Sequence, residues 1–446
     1  MKKILCLFVS LIVLCSICYS QNWKPLGSGM NSYVNAVTVY NNQLIAGGAF
    51  GTAGGNNVYY IATWNGTQWS PLGSGMNDHV EALTVYNNEL IAGGEFTTAG
   101  GVSANHIAKW NGSSWTSLGS GINGYVYALT VYNGELIAGG EFTTAGGVSA
   151  SHIAKWNGSS WTAMGTGMDS YVLELTLFNN DLIAGGDFFT AGGDSVNHIA
   201  TWNGSSWSGL GGGVQGGRVY SLAIYNNELI VGGYFTTADG INANRIAKWN
   251  GSSWTSLGSG LNQGVFGLTV YKGELIAGGM FDNAGGVYAN HIAQWNGSSW
   301  APIGLGMDEA VYALTNYNND LIAGGLFMFA GGIGIHFIAK TNDLVGLKEV
   351  GEVIPYKYSL IQNYPNPFNP MTRISFDLPK SSFVHLFIYD VLGRVVTTLL
   401  NEQLKPGNYE VEWDGSNYPS GVYFYKLIIE NASAPLSFTK KMVLIK

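Results

Sequence analysis

The chain has 446 residues, 46% of them hydrophobic and only 11% charged, which excludes a disordered chain and supplies core enough for two or three domains. With 64 glycines and 13% aromatic residues, the composition points to short strands and tight turns. Residues 21–343 hold 8 basic and 19 acidic residues, against 10 and 9 in residues 344–446; the acidic part argues against nucleic acid, whose binding rests on neutralising phosphates.

Residues 1–20 read as a signal peptide. Lys2 and Lys3 form its charged start, the stretch from Ile4 to Ile17 is almost wholly apolar, and Cys18-Tyr19-Ser20 places small residues before a cleavage at Gln21. The apolar run is shorter than the roughly 18–20 residues of a membrane span, so no transmembrane segment is expected in the mature chain. The 3 cysteines, Cys6, Cys15 and Cys18, all lie in this leader. The mature chain is therefore expected to have no disulfide, thiolate metal site or cysteine nucleophile.

A repeat dominates residues 21–343. The Gly-Gly pair of a Leu-Ile-Ala-Gly-Gly phrase begins at Gly47, Gly93, Gly139, Gly185, Gly232, Gly278 and Gly324, spaced by 46 or 47 residues. A Trp-Asn-Gly phrase begins at Trp64, Trp110, Trp156, Trp202, Trp249 and Trp295 and decays to Thr341-Asn342-Asp343 in the seventh copy. One copy predicts four strands: Val80–Tyr86, Glu89–Phe96 after an Asn87-Asn88 turn, His106–Trp110 after a longer loop at Thr97–Asn105, and Ser114–Leu118 after an Asn-Gly turn. No window carries a sustained helical period. Four strands per unit of this length is the propeller pattern. Residues 21–343 are thus expected to form a seven-bladed β-propeller in an all-β protein. The seventh copy lacks its last strand, and Asn22-Trp23-Lys24-Pro25-Leu26-Gly27 matches that strand, so the start of the mature chain is expected to complete the last blade. Closure removes sheet edges that would otherwise invite aggregation. Of 14 tryptophans, 13 fall in the repeats, where regular recurrence in strands implies packing between blades.

The alternation of tight turns with longer connections places both longer loops on one face, where ligands usually bind. Two slots flank the first-strand valine and vary among otherwise similar copies. The slot before it holds Tyr33, His79, Tyr125, Tyr171, Arg218, Gly264 and Ala310; the slot after it holds Asn35, Glu81, Tyr127, Leu173, Tyr220, Phe266 and Tyr312. The candidate ligand site at the axial mouth is Tyr33, His79, Glu81, Tyr125, Tyr127, Tyr171, Arg218, Tyr220 and Tyr312.

Other patterns carry less chemistry. His106, His152, His198 and His291 share one slot, so they stand on separate blades and are expected to make hydrogen bonds and not to share a metal. Glu89, Glu135, Asp181, Glu228, Glu274 and Asp320 follow the hairpin turns, where a hairpin role is expected. Glu95, Glu141 and Asp187 recur in three consecutive blades as a solvated acidic face or a cation patch such as one for Ca²⁺. Gly211, Gly213 and Gly216 match a dinucleotide string, but strand and not helix follows. The Asn-Gly-Ser/Thr sequons, beginning with Asn65 and Asn111, coincide with turns. No nucleophile elbow, EF-hand loop or Asp box is present. No metal site, cofactor or catalytic set is expected.

Residues 344–358 read as a linker, and 359–446 change character. Here Tyr364-Pro365-Asn366-Pro367-Phe368-Asn369-Pro370, then Ile388-Tyr389-Asp390-Val391-Leu392-Gly393-Arg394, then Pro419-Ser420-Gly421-Val422-Tyr423-Phe424-Tyr425-Lys426, then Lys441-Met442-Val443-Leu444-Ile445-Lys446 stand in order. This series resembles the type A C-terminal sorting domain of the type IX (Por) secretion system. The resemblance implies an immunoglobulin-like β-sandwich without a disulfide, read by an outer-membrane translocon, and a secreted or outer-surface destination for the chain. The repeats resemble kelch-like secreted propellers more loosely. The expected function is a secreted or surface-displayed binding or adhesion module whose ligand is a polysaccharide or a protein. The alternative is a glycan-active hydrolase or lyase, with His79, Glu81, Arg218, Asp308 and Glu309 as first suspects.

Overall fold

The computed structural model describes residues 23–341, 347–351, 355–415, 418–430 and 435–446; the expected leader lies outside them. The described residues contain strands and turns but no helix, and none of their elements is a helix long and apolar enough to cross a membrane. The chain divides into two units, Asn22–Leu344 and Val345–Lys446.

The first unit holds seven four-stranded antiparallel sheets. In the second of them, Val80–Tyr86 is the inner strand, followed outward by Glu89–Gly94, Ile107–Trp110 and Trp115–Ser117. Asn87 and Asn88 take φ of 51° and 62°, the left-handed pair that a tight primed turn requires. Inner strands pack side by side around the ring, and the seventh, Val311–Tyr317, returns to the first, Val34–Tyr40. The seventh sheet is completed by Lys24–Pro25, which pairs antiparallel with Ile338–Thr341 through Lys24↔Lys340 and Pro25↔Ala339. The ring is therefore closed by joining the start of the described chain to its last blade.

Each blade is fastened to its neighbour in the same way. The indole N–H of Trp69 donates to the Leu26 carbonyl at 2.9 Å, and those of Trp115, Trp161, Trp207, Trp254 and Trp300 repeat the bond to the preceding blade at 2.8–3.0 Å. Trp23 makes the seventh such bond, to Ile303 at 3.3 Å. Beneath these bonds the first glycine of each pair lets the next blade descend. A Cβ on Gly93 would stand 2.5 Å from Cγ1 of Val126, closer than any real packing. The core accordingly lies between blades: Tyr40, Ile45 and Ile61 of one sheet bury against Leu90, Phe96 and Trp115 of the next.

The longer loop within each blade is more ordered than the sequence implied. In the second blade it folds into a miniature hairpin, Thr98–Ala99 with Val102–Ser103. Met76, from the loop between blades, bridges to Ala99. Both longer loops thus join on one face, as the alternation of turns required.

The second unit is two four-stranded sheets over one core that includes Phe376, Leu386, Val411, Trp413, Tyr425 and Met442. Within the expected linker at 344–358, Leu347–Gly351 is an edge strand paired with Gly407–Asp414, whose outer edge is open to another backbone. The terminal motifs meet in space. Phe368 N–H donates to Val443 and Ile445 N–H donates to Phe368, while the Asn363 N–H donates to the Tyr425 hydroxyl at 2.8 Å.

Trp23 is 1% exposed and joins the first described residues to the last blade. Trp23→Ala is expected to lower the unfolding free energy by about 3–5 kcal/mol, measured by denaturant titration; a loss under about 1 kcal/mol would show that the ring does not depend on this closure.

Candidate functional site

A backbone irregularity builds the mouth. In every blade the register slips one residue after the inner-strand valine, between Val34 and Ala36, Val80 and Ala82, Val126 and Ala128, Val172 and Glu174, Val219 and Ser221, Val265 and Gly267, and Val311 and Ala313. The residue left out of register is the variable slot: Asn35, Glu81, Tyr127, Leu173, Tyr220, Phe266 and Tyr312. A bulge turns its extra side chain away from the ladder.

The nine expected site residues fall into contact chains around this rim. His79 stands edge-on to Tyr33 with centroids 5.8 Å apart, and Tyr33 to Tyr312 at 6.3 Å. Tyr312 meets Phe266 at 5.7 Å, and Phe266 meets Tyr220 at 5.3 Å. Tyr220 continues to Tyr234 at 5.9 Å. On the other side Tyr125 packs on Tyr127 at 6.3 Å. The Glu141 carboxylate accepts from the Tyr127 hydroxyl at 3.2 Å and from the Tyr171 hydroxyl at 2.9 Å. Arg218 pairs with Asp187 at 2.9 Å. Of the acids of the Gly-Gly-x-Phe slot, which sequence reading left as a solvated face or cation patch, Glu141 and Asp187 are bonded within the mouth, and Glu95 stands beside Asp78 and His79.

The second blade concentrates charge. Asn35 donates to both oxygens of Glu81, at 2.8 and 2.9 Å. His79 sets Nε2 at 3.8 Å from Asp78 and Nδ1 at 3.9 Å from Glu81. Asp78, His79 and Glu95 offer three donor atoms within 4.8 Å of one another, a carboxylate and imidazole set of the kind a divalent transition ion accepts; the sequence reading weighed Glu95 only with Glu141 and Asp187 and expected no metal site. Burial, then the Glu95 and Asp78 charges, push the Glu81 carboxyl up to about 7 against the opposing Asn35 bond. Burial and the adjacent Glu141 carboxylate raise the Tyr127 hydroxyl.

Sequence reading missed Asp78, Tyr234 and Glu174. Glu174 occupies a slot held elsewhere by Ala36, Ala82, Ala128, Ser221, Gly267 and Ala313, so a carboxylate among small residues was its available mark. Burial lifts it to about 8, despite a bond from the Leu175 N–H. Of the two remaining suspects, Glu309 is exposed and Asp308 is structural. Asp308 accepts the N–H groups of Met328 and Phe329, as Asn77 does for Thr97 and Thr98. The turn acids serve the hairpins: Glu89, Glu135, Glu228 and Asp320 pair with Lys109, Lys155, Lys248 and Lys340 at 2.6–2.8 Å. Of the histidines, His106 and His152 set Nδ1 within 3.3 and 3.1 Å of the Gly94 and Gly140 carbonyls. Their slot is left-handed in all seven copies, Tyr60, Arg245 and Phe337 included, so backbone shape is what the copies share.

A closed ring of sheets with a polar mouth, joined in sequence to a sandwich bearing the sorting motifs, defines the class: this is a β-propeller protein with a C-terminal secretion sorting domain. Residues 362–445 match the family described as secretion system C-terminal sorting domain. Residues 18–180 and 58–217 match the Rax2 C-terminal beta propeller domain, and 226–251 a beta-propeller domain of unknown function. No curated protein matches the chain. Among solved structures, PorZ, an essential bacterial surface component of the type IX secretion system of Porphyromonas gingivalis, is 15% identical with a TM-score of 0.46; the match covers 94% of this chain and 60% of that one. A fungal alcohol oxidase of the AA5 family, in complex with copper, is 14% identical with a TM-score of 0.43, covering 95% of this chain and 99% of that one. A protein of unknown function from Bacteroides thetaiotaomicron is 10% identical with a TM-score of 0.38, covering 72% of each chain. Likenesses at this level say nothing of what this chain binds.

Glu174 makes stability depend on pH. Its folded form keeps the proton up to about pH 8, whereas an unfolded glutamate releases it near 4.5. The contribution is complete below pH 4.5 and is lost as pH rises through 8, with a slope of up to about 1.4 kcal/mol per pH unit. Denaturant titrations between pH 5 and 9 are expected to show a shallower decline for Glu174→Gln than for the parent chain; parallel declines would contradict it.

Proposed function

We propose that the chain is a binding or adhesion propeller, delivered to the cell surface or the medium by type IX secretion, whose ligand docks at the axial mouth. The observation that carries this reading is the distribution of variation. The copies agree in the tryptophan, valine and glycine positions that hold the ring, and differ in the bulged residue and its neighbours on the loop face. Divergence placed on a rigid scaffold is how a repeat builds a single asymmetric site. The carboxylates there disfavour polyanionic ligands. The expected check is equilibrium binding to panels of oligosaccharides and proteins: a saturable ligand should lose about tenfold or more in affinity in Tyr220→Ala and Tyr125→Ala, typical of truncated aromatic anchors. Binding unchanged in both would place the site elsewhere.

The sorting tail supports the delivery part of this reading. Deleting 362–445 is expected to leave the propeller in the periplasm, detected by surface labelling and cell fractionation. Undiminished surface display of the shortened chain would refute it.

One observation favours an enzyme instead. Glu81 is poised near neutrality beside Asp78 and Glu95, and paired carboxylates of unlike affinity are the tools of glycoside hydrolysis. Against this, both Glu81 oxygens are engaged by Asn35, which holds the group in place and does not leave it facing a substrate. Release of reducing sugar from a polysaccharide, abolished by Glu81→Gln, would establish the enzyme reading.

A further inference from the structure

The mouth is divided by chemistry. Along the chain the Gly-Gly-x-Phe slot reads Ala49, Glu95, Glu141, Asp187, Tyr234, Met280 and Leu326, three consecutive acids and then three consecutive apolar or aromatic residues. Sequence order is ring order, so the acids form one arc and the apolar residues another. In the bulged slot, blades two to four hold Glu81, Tyr127 and Leu173, and blades five to seven hold only aromatic residues, Tyr220, Phe266 and Tyr312. Tyr234 touches Met280, hydroxyl to sulfur, at 3.4 Å. Met280 and Leu326, both in that slot, are 45% and 37% exposed.

Charge within the mouth is unbalanced. Asp78, Glu81, Glu95, Glu141 and Asp187 meet one arginine, Arg218, which is paired with Asp187. Four of the propeller's lysines are bound to hairpin acids. Arg245 lies over the Tyr234 ring at 5.9 Å, with its N–H groups on the Tyr234 and Phe235 carbonyls. That contact shows a guanidinium already seated against the aromatic arc.

We infer that the mouth takes a protein segment presenting a lysine or arginine next to aromatic or aliphatic side chains, the cation on the acidic arc and the apolar groups on the Tyr220–Tyr234–Phe266–Met280 arc. The inference rests on the mouth being the binding surface, and it names the ligand class. A neutral sugar would leave the acidic arc unmatched. The aromatic rings also suit side chains better than sugars. Tyr33, Tyr312, Tyr220 and Phe266 meet at 58–88°, so they wall clefts and do not lie open as flat stacking platforms. A charge matched across a partly desolvated contact contributes to affinity and to the rate of encounter.

The test uses the whole chain and a fluorescein-labelled peptide alternating lysine with tryptophan and leucine, followed by anisotropy in EDTA. Saturable binding is expected, weakened about tenfold or more by acetylating the lysines, by Glu95→Gln with Glu141→Gln, and by Tyr234→Ala. Glu228→Gln, on the hairpin side of the ring, should bind as the parent does, and melting curves confirm that each variant is folded. Equal binding of the acetylated peptide overturns the ligand class. So does binding of a neutral oligosaccharide alone, lost in Tyr234→Ala, while leaving the mouth as the site. Peptide binding that no mouth variant alters overturns both.

Discussion

The contact between one blade and the next governs this propeller. Each blade has apolar residues on both faces, so no blade has a core of its own. Stability depends on every sheet finding a neighbour. The repeat supplies three matched parts: a tryptophan whose N–H reaches the preceding blade's carbonyl, a valine, and a glycine that leaves room for it. A larger residue at Gly93 would collide with Val126, and a non-donor at Trp115 would leave the Leu72 carbonyl without its buried partner. Seven repetitions of a directional contact close only if the last sheet accepts the first residues, which Trp23 and the Lys24–Pro25 strand accomplish.

Because this framework demands the same residues of every copy, freedom to vary is confined to positions it does not use. The bulge creates one such position per blade. Its residue is released from the ladder, so asparagine, glutamate, leucine, tyrosine and phenylalanine all occupy it without altering the strands around it, and it meets the bulged residues of neighbouring blades. The loop positions next to it have the same liberty. Chemistry accumulates there, and its asymmetry lies in the side chains and not in the backbone. The acids of blades two to four and the apolar residues of blades five to seven are tolerated equally by one backbone.

Much of the framework was legible in the sequence. Glycine pairs 46 or 47 residues apart, turn asparagines and an orphan fourth strand at Trp23 together specify seven closed sheets. The two variable slots were legible as variation. What sequence concealed was relation. The bulge leaves no composition mark, since its residue is defined by register and by nothing in its type. Glu95 lies just after the second strand and His79 just before the first, and only pairing of these strands brings them together. Glu141 reads as one more acid in a periodic slot; that it receives both Tyr127 and Tyr171 comes from the sheet. The strand at Leu347–Gly351 was hidden for a similar reason, because an edge strand needs a partner's open backbone more than a pattern of its own.

The tail shows how differently the two units use their sequences. In the ring, recurrence carries the information that builds the framework, and every copy supplies the same framework residues. In the sandwich each motif occurs once and is locked to another far away. Asn363 sits between Tyr425 and Thr372, and Asn366 accepts the Val443 N–H. Asp390 closes its own turn by taking the N–H groups of Leu392 and Arg394 and the Arg394 side chain, leaving Val391 and Leu392 66% and 73% exposed at its tip. An address must present the same surface whatever cargo precedes it. The sandwich core of Phe376, Trp413 and Tyr425 is made within its own unit and owes nothing to the ring's repeat.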